Sequence, residues 1–234
     1  MAFNYLVVNG FSTARFTNSV VMDFGDIKLA SPRFAEKVTL HGVNGSYNLP
    51  DGAFDSYDRT IKLFIVRYAD ALTLLEKFQA QDNVLEFSYQ TDSVFYADLL
   101  EGDIKPKGKG GWEVTVKLNM QPFRYVKNPP DITLTGNGSL TNPGTVFSEP
   151  VIVLEGSGEV SLTIGKQVMQ LTLDTKATID CRHKKQNVYD KIGYVRNTIR
   201  KRGPFFEIPV GISGVAVTGN IQKITIKGNW RYKV

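Results

Sequence analysis

Apolar and polar positions alternate with period two over most of this chain, most cleanly in two stretches. From Trp112 to Met120, Trp112, Val114, Val116, Leu118 and Met120 alternate with Glu113, Thr115, Lys117 and Asn119. Toward the C-terminus, Ile224, Ile226, Trp230, Tyr232 and Val234 alternate with Thr225, Lys227, Asn229, Arg231 and Lys233, and Gly228 keeps the apolar register. This periodicity predicts strands with one buried and one wet face. Pro122-Phe123-Arg124-Tyr125 and then Asn128-Pro129-Pro130 follow the first stretch. Prolines lack an N–H and fix φ, so the sheet is expected to end there and pass into a stiff connection. The pattern divides the chain into two β domains, 1–128 and 129–234, with the boundary between Asn128 and Gly138.

Within the first domain, strands are expected at Phe3 to Val8, over the extended stretch Val20 to Leu29 with a break at Gly25-Asp26, at Val38 to Leu40, and at Ile61, Leu63 and Ile65. Further strands are expected at Leu85, Phe87 and Tyr89 and at Phe95 to Leu99. His41-Gly42-Val43-Asn44-Gly45 and Lys107-Gly108-Lys109-Gly110-Gly111 read as turns, because glycine and asparagine accept positive φ. One helix is predicted, with Asp70 as N-cap, Ala71, Leu74, Leu75 and Phe78 on one face, and an end near Asp82-Asn83. It would plug an open end of the sheet. The second domain shows only short strands punctuated by Gly, Asn and Pro: Val151 to Leu154, Val160 to Ile164, Val168 to Leu173, Thr178 to Asp180, Phe205 to Ile208, Val215 to Val217 and the closing stretch. That spacing predicts a sandwich or jelly roll.

Composition adds little to this picture, at 42% hydrophobic and 22% charged over 234 residues. The longest strictly apolar runs, such as Leu6 to Val8, fall far short of the roughly 20 residues a membrane helix needs. A charged segment followed by a long apolar one is missing at the N-terminus, and Cys181 is the single cysteine, so a reducing cytoplasm is the expected folding compartment. Charge changes the picture more. Residues 1–128 carry 14 Lys and Arg against 15 Asp and Glu, and residues 129–234 carry 14 against 8. Most of the excess lies in Arg182, Lys184, Lys185, Lys191, Arg196, Arg200, Lys201 and Arg202, offset within that stretch only by Asp190. A polyanion contact, to nucleic acid or an anionic cell-wall polymer, is one reading. A solvated loop is the plainer and preferred one, since only Tyr189 and Tyr194 offer stacking groups.

Catalytic constellations are scarce. His41 and His183 are the only histidines, and Cys181 with His183 cannot complete a tetrahedral zinc site. Asp51, Asp55 and Asp58 miss the spacing of a calcium loop and read as turn and solvation residues. Gly156-Ser157-Gly158 and Asn137-Gly138-Ser139 lead toward strands, not helices, so they read as hairpin turns and not phosphate loops. The sequons at Asn44 and Asn137 carry little weight without a secretory route. Trp112 and Trp230 fall on inferred buried faces, which assigns them to cores and not to sugar platforms. No catalytic, cofactor or metal residue is assigned, and no enzymatic activity is expected.

The order of these motifs resembles a known family. Phe3-Asn4-Tyr5 opening a strand, the His41 to Gly45 turn, Tyr57-Asp58-Arg59 before the Ile61 strand, the lone helix, Phe95-Tyr96-Ala97, and the Trp112 strand ending in Pro122-Phe123-Arg124-Tyr125 resemble the distal tail proteins of siphophage baseplates. In the second half the resemblance continues through Pro150 and its strand, Ile179-Asp180, Gly203-Pro204-Phe205, Pro209-Val210-Gly211 and Asn229-Trp230-Arg231. Each motif is weak alone, and their order carries the likeness.

The resemblance implies a mainly β chain: an N-terminal β-barrel-like ring-forming domain with one helix, then a C-terminal galectin-like β-sandwich facing other baseplate proteins. It further implies a homo-hexamer in the virion tail tip, assembled in the host cytoplasm. That ring would join the tail tube protein to the tail-tip protein and, in many phages, to receptor-binding proteins, while DNA passes through the bore without specific binding. Ser31 to Leu49 corresponds to an extended hairpin that reaches the neighbouring subunit, although an ordinary intramolecular hairpin fits the residues equally well. The chain lacks the inserted domains of larger members, so sugar binding is not implied. The competing class is a two-domain carbohydrate-binding module, monomeric and reliant on exposed aromatics.

Overall fold

In a computed structural model the chain is described over residues 4–108 and 110–233. Phe3 of the expected opening strand, Lys109 of the expected glycine-rich turn and Val234 of the closing stretch lie outside the described residues. The fold is mainly β with one α-helix among the described residues. Contacts gather into two compact units, one running to Tyr125 and including Lys233, the other Val126–Tyr232.

The first unit contains β1 (Leu6–Val8), β2 (Phe11–Ser12), β3 (Val20–Asp23), β4 (Pro32–Val38), β5 (Tyr47–Phe54), β6 (Tyr57–Ile65), α1 (Tyr68–Glu76), β7 (Asn83–Phe87), β8 (Gln90–Pro106) and β9 (Trp112–Val126). Its main sheet is curled, a half barrel ordered β2-β1-β7-β8-β9-β6-β3. The β6–β9 ladder runs unbroken from Tyr57 opposite Met120 to Ile65 opposite Trp112. Ile61, Leu63 and Ile65 therefore share a face with Val116, Val114 and Trp112, and all of these but the half-exposed Trp112 are fully buried. Directly opposed side chains are the unit from which a sheet gains stability, so the alternation read from sequence fixes this register.

The elements depart from the pattern in ways that have local causes. β9 continues through Pro122 to Val126. Met120 already faces Tyr57, the first residue of β6, so the missing proline N–H forfeits no bond to that neighbour. Tyr57-Asp58-Arg59 belongs to β6 and does not precede it. Strand β4 spans Pro32–Val38, ahead of the expected Val38 to Leu40, and Tyr89 sits in the turn after β7. The extended stretch after Val20 ends as a strand at Asp23, whose carboxylate accepts from Gly25 N–H at 2.7 Å. Helix α1 is capped by Arg67, three residues before the expected Asp70 and without a side-chain bond, and it ends at Glu76, short of the expected Asp82-Asn83. Asp70 lies inside the first turn, where its charge suits the exposed N–H groups. Ala71 and Leu74 are buried, and Phe78 joins the same core just past the helix end.

The second unit contains β10 (Ile132–Leu134), β11 (Gly138–Asn142), β12 (Val151–Ile164), β13 (Gln167–Leu173), β14 (Lys176–Asp180), β15 (Asn187–Tyr189), β16 (Arg200–Arg202) and β17 (Gly211–Lys227), whereas the last strand, β18 (Arg231–Lys233), pairs with β9. Two long strands, β12 and β17, pair from Val151 opposite Lys227 to Ile164 opposite Val215, interrupted at the bend, and fold over together. Their Val151 and Lys227 ends are flanked by β14 and β10, with β15 beyond β14, and their Ile164 and Val215 ends by β13 and β11, with β16 beyond β13. The halves close on one core that includes Ile152, Leu154, Leu162, Ile164, Phe206 and Ile224, which makes a sandwich from a sheet bent back on itself.

Gly156-Ser157-Gly158 is the bend and not a hairpin turn, so Val151–Leu154 and Val160–Ile164 are one strand. A Cβ on Gly156 would lie 2.2 Å from the Asn220 carbonyl oxygen, and one on Gly219, which holds φ at +90°, 2.4 Å from that of Glu159. Only glycine lets the two backbones approach this closely. Gly156→Ala is expected to destabilise the second unit by about 1–3 kcal/mol, seen as a lower unfolding midpoint at unchanged m-value. Asn137-Gly138-Ser139 also proves to be no hairpin turn: Gly138 opens β11, and Asn137 Oδ1 accepts from Val217 N–H at 2.8 Å. Phe205 to Ile208 forms no strand beyond a single bridge between Ile208 and Ser148, although Phe206 and Ile208 are buried.

The closing alternation breaks after Lys227. Asn229 takes φ of +48°, the left-handed region, which turns both Trp230 and Arg231 inward at 5% and 4% exposure. Arg231 Nε donates to the Phe147 carbonyl at 2.6 Å, Nη2 reaches Glu149 at 3.3 Å, and the guanidinium lies 4.4 Å over the Phe147 ring. A position assigned to solvent by its charge thus becomes an anchor for the chain after β11.

Candidate functional site

Strands β4 and β5 form a two-stranded ribbon that no other strand joins among the described residues. Pro32 faces Phe54 and Val38 faces Tyr47, and the connection carries Gly42 and Gly45 at φ of +77° and +96°. At the base, Asp55 N–H donates to the Ser31 carbonyl at 3.0 Å and the Phe54 ring meets Phe123 edge-on at 5.3 Å. Asp51 sets the return strand: its carboxylate accepts from Ala53 N–H at 2.9 Å and pairs with Arg33. The Ala53 bond first, and Arg33 after it, hold the Asp51 carboxyl below its usual range.

Beyond that base the ribbon is bare. Phe34, Leu40, Val43, Tyr47 and Leu49 are each 48–58% exposed, and Ile27 and Leu29 on the segment leading into it are 56% and 71% exposed. A lone two-stranded hairpin is marginal in water, and a cluster of exposed large apolar side chains on one marks a surface that another molecule covers. The turn chemistry of residues 41–45 was legible in the sequence. The exposure was not, because Tyr47 and Leu49 alternate as buried strand residues do.

Arg59 lies in the core stripe of β6, opposite Leu118, at 2% exposure. Its Nε donates to the Phe24 carbonyl at 2.6 Å, and Nη2 to the Tyr89 hydroxyl at 3.0 Å and the Gly25 carbonyl at 3.4 Å. The guanidinium sits 4.5 Å over the Phe87 ring, whose electron-rich face attracts it. Its Nη1 and the Tyr57 hydroxyl are buried with no hydrogen-bond partner among the described residues. Burial pushes the Tyr57 phenol up from its usual range.

Part of the basic stretch is compensated by nearby carboxylates. Arg182 makes two bonds to the buried Asp180 carboxylate, at 2.9 and 2.7 Å. Lys191 pairs with Asp174 at 2.7 Å and Arg196 with Asp190 at 3.3 Å. Arg200 donates to the Gly203 carbonyl at 2.7 Å and lies 4.6 Å over the Phe205 ring.

Other sequence candidates separate. His41 and His183 are exposed, one in each unit. Cys181 is buried and its thiol is pushed up to about 12, chiefly by that burial, so it stays protonated at neutral pH. Asp58 accepts from Asn119 at 2.9 Å across the β6–β9 ladder, and with Asp51 it serves local structure. Trp230 is core, whereas Trp112 is half-exposed with its ring 4.7 Å from that of Tyr68. No three His, Cys, Asp or Glu side chains among the described residues are placed to share a metal ion.

A curled half-barrel sheet with a bare apolar hairpin in the first unit, and a bent-sheet sandwich in the second, define a mainly β fold. Among solved structures, the chain is similar to the SPP1 Dit (gp 19.1) protein, described as a paradigm of the hub adsorption apparatus in phages infecting Gram-positive bacteria. That match has a TM-score of 0.70 at 13% identity and covers 95% of this chain and 98% of the other. It is also similar to a chain of the phage p2 baseplate in its activated conformation, solved with strontium and with calcium, at a TM-score of 0.51 over 92% of both chains and 9–10% identity. The chain has a Dit-like fold. No protein-family model and no curated protein sequence matches it.

Proposed function

We propose that this chain is a distal tail protein, a structural, non-enzymatic component of a siphophage tail tip. Six copies close into a ring through the first unit, residues 1–128 in sequence terms, each hairpin lying on the neighbouring copy. The second unit, 129–234, is the peripheral galectin-like sandwich. The ring connects the tail tube protein to the tail-tip protein and to receptor-binding proteins, leaves a channel for DNA, and is assembled in the host cytoplasm before it joins the virion.

The observation that carries this reading is the bare apolar ribbon on a fold that matches a phage hub protein over nearly the whole of both chains. Ring closure needs a heterologous contact, one surface on each copy against a different surface on the next, and a projecting arm supplies one half of it. A carbohydrate-binding module has less support, since one tryptophan is buried and the other is covered on one side by Tyr68. The test is negative-stain imaging with light scattering of the full chain, alone and with tube and tip proteins. Rings with a central hole and about sixfold the chain mass are expected. Solitary particles under every condition would reject the assignment.

A further inference from the structure

A pocket of about 530 Å³ opens on the second unit between the β13–β14 turn and residues 190–201. Lys176, Lys191, Arg196 and Lys201 line it against only two carboxylates, Asp174 and Asp190. Those two acids are already engaged by Lys191 and Arg196. The Lys176 and Lys201 side chains make no ion pair or hydrogen bond among the described residues, and Glu155, across the ladder from Lys176, reaches Lys223 at 3.9 Å instead. The pocket is thus a concave site with two uncommitted cations.

An apolar knob stands at its rim. Ile192 is 70% exposed and Tyr194 69%, yet their loop is firmly built. The Asp190 carboxylate accepts from Ile192 N–H at 3.1 Å and Tyr194 N–H at 3.0 Å, and Asp190 N–H donates to the Tyr194 carbonyl at 2.9 Å. Arg196 N–H and the Val188 carbonyl close the base at 2.7 Å. A loop held this tightly presents its apolar side chains by construction, at no further ordering cost to a partner. Beside it, β16 pairs among the described residues only with β13, which leaves its other edge without a strand there, and its sequence is Arg200-Lys201-Arg202.

We propose that this face docks an extended acidic segment of a partner protein. The segment lies along the free edge of β16, sets carboxylates on Lys176 and Lys201, and packs an apolar side chain on Ile192 and Tyr194. The three features together select a peptide: an open strand edge offers backbone hydrogen bonds, free cations meet carboxylates, and exposed apolar groups need apolar partners. A polyol phosphate or a nucleic-acid backbone would use the cations alone. The docking needs only the second unit, so failure of the chain to form rings would leave it standing, and its own failure would leave the ring reading untouched.

The test is selection on the full chain from a pool of twelve-residue peptides with Asp or Glu at alternate positions, run against a charge-swapped pool with Lys or Arg at those positions. Enrichment of acidic, apolar-containing sequences is expected. Binding of a selected peptide should weaken about tenfold in the double variant Lys176→Glu/Lys201→Glu, and severalfold in Ile192→Ser and in raised salt. These side chains are exposed, and an unchanged melting temperature separates lost docking from lost folding. The idea is overturned if the acidic pool does not enrich, if binding ignores both substitutions, or if polyglycerol phosphate or single-stranded DNA displaces the peptide equally well from the wild type and from Ile192→Ser.

Discussion

Excising Phe34 to Asn48 and bridging the gap with a short glycine-serine joint is expected to leave a folded monomer in place of the ring proposed for the full chain. The fold should survive because none of the core of the first unit comes from this segment: its buried members run from Leu6, Val8 and Val21 directly to Ile61. Assembly should not survive, because the segment holds Phe34, Leu40, Val43 and Tyr47, all about half exposed in the single chain. Burying a large apolar side chain against a neighbour is worth roughly 1.5–3 kcal/mol. Losing even three such contacts per interface weakens each contact on the order of a thousandfold or more. Light scattering at matched concentration reads the outcome as a fall in mass to that of one chain, with the melting profile retained. A deletion variant of unchanged ring mass would reject the arm as the closing contact. A milder triple variant, Phe34→Ser/Tyr47→Ser/Leu49→Ser, should move the assembly midpoint to higher concentration without removing any backbone.

What the sequence made legible follows from how locally each feature is encoded. The β6–β9 ladder is written in side chains whose alternation alone says which face is buried, and Ile61, Leu63, Val114 and Val116 lie where that rule puts them. Helix α1 was visible for the same reason, apart from its ends: Arg67 makes no side-chain cap, and the helix stops at Glu76. The misreadings share a different cause: the deciding partner is far along the chain. Gly156 looks like a turn until the Asn220 carbonyl is seen pressed against it, and Pro122 looks like a stop until β6 is seen to have ended. The basic stretch looked less compensated than it is because Asp174, the partner of Lys191, lies outside it in the turn before β14. For the hairpin, the turn was legible but not whether its apolar residues are covered, since that depends on a surface outside a single chain.

Arg59 makes the second large prediction. In Arg59→Ala the first unit should lose about 3–5 kcal/mol, from the cavity and from the Phe24 and Gly25 carbonyls left without their donor. The structure explains why a charge sits in this stripe: the guanidinium ties the segment after β3 onto the sheet by two carbonyls and the Tyr89 hydroxyl, and the Phe87 ring backs it. Among the described residues the hydrogen-bond partners include no carboxylate, and Nη1 has none at all, so the buried charge itself is not what stabilises. Arg59→Met, which keeps most of the volume and removes the desolvated charge, should therefore cost clearly less than Arg59→Ala. Calorimetric or denaturant unfolding gives the loss, and hydrogen exchange locates it, with Gly25 N–H and its neighbours exchanging faster in both variants. If Arg59→Ala costs under about 1 kcal/mol, a value ordinary for a surface residue, the guanidinium is not the tie. If Arg59→Met costs as much as Arg59→Ala, the bonds to the carbonyls outweigh both cavity and charge. The segment after β3 leads through Ile27 and Leu29 into β4, so the same tie sets where the hairpin leaves the sheet. Arg59→Met should then also broaden the ring's assembly transition, a consequence that a purely internal packing role would not produce.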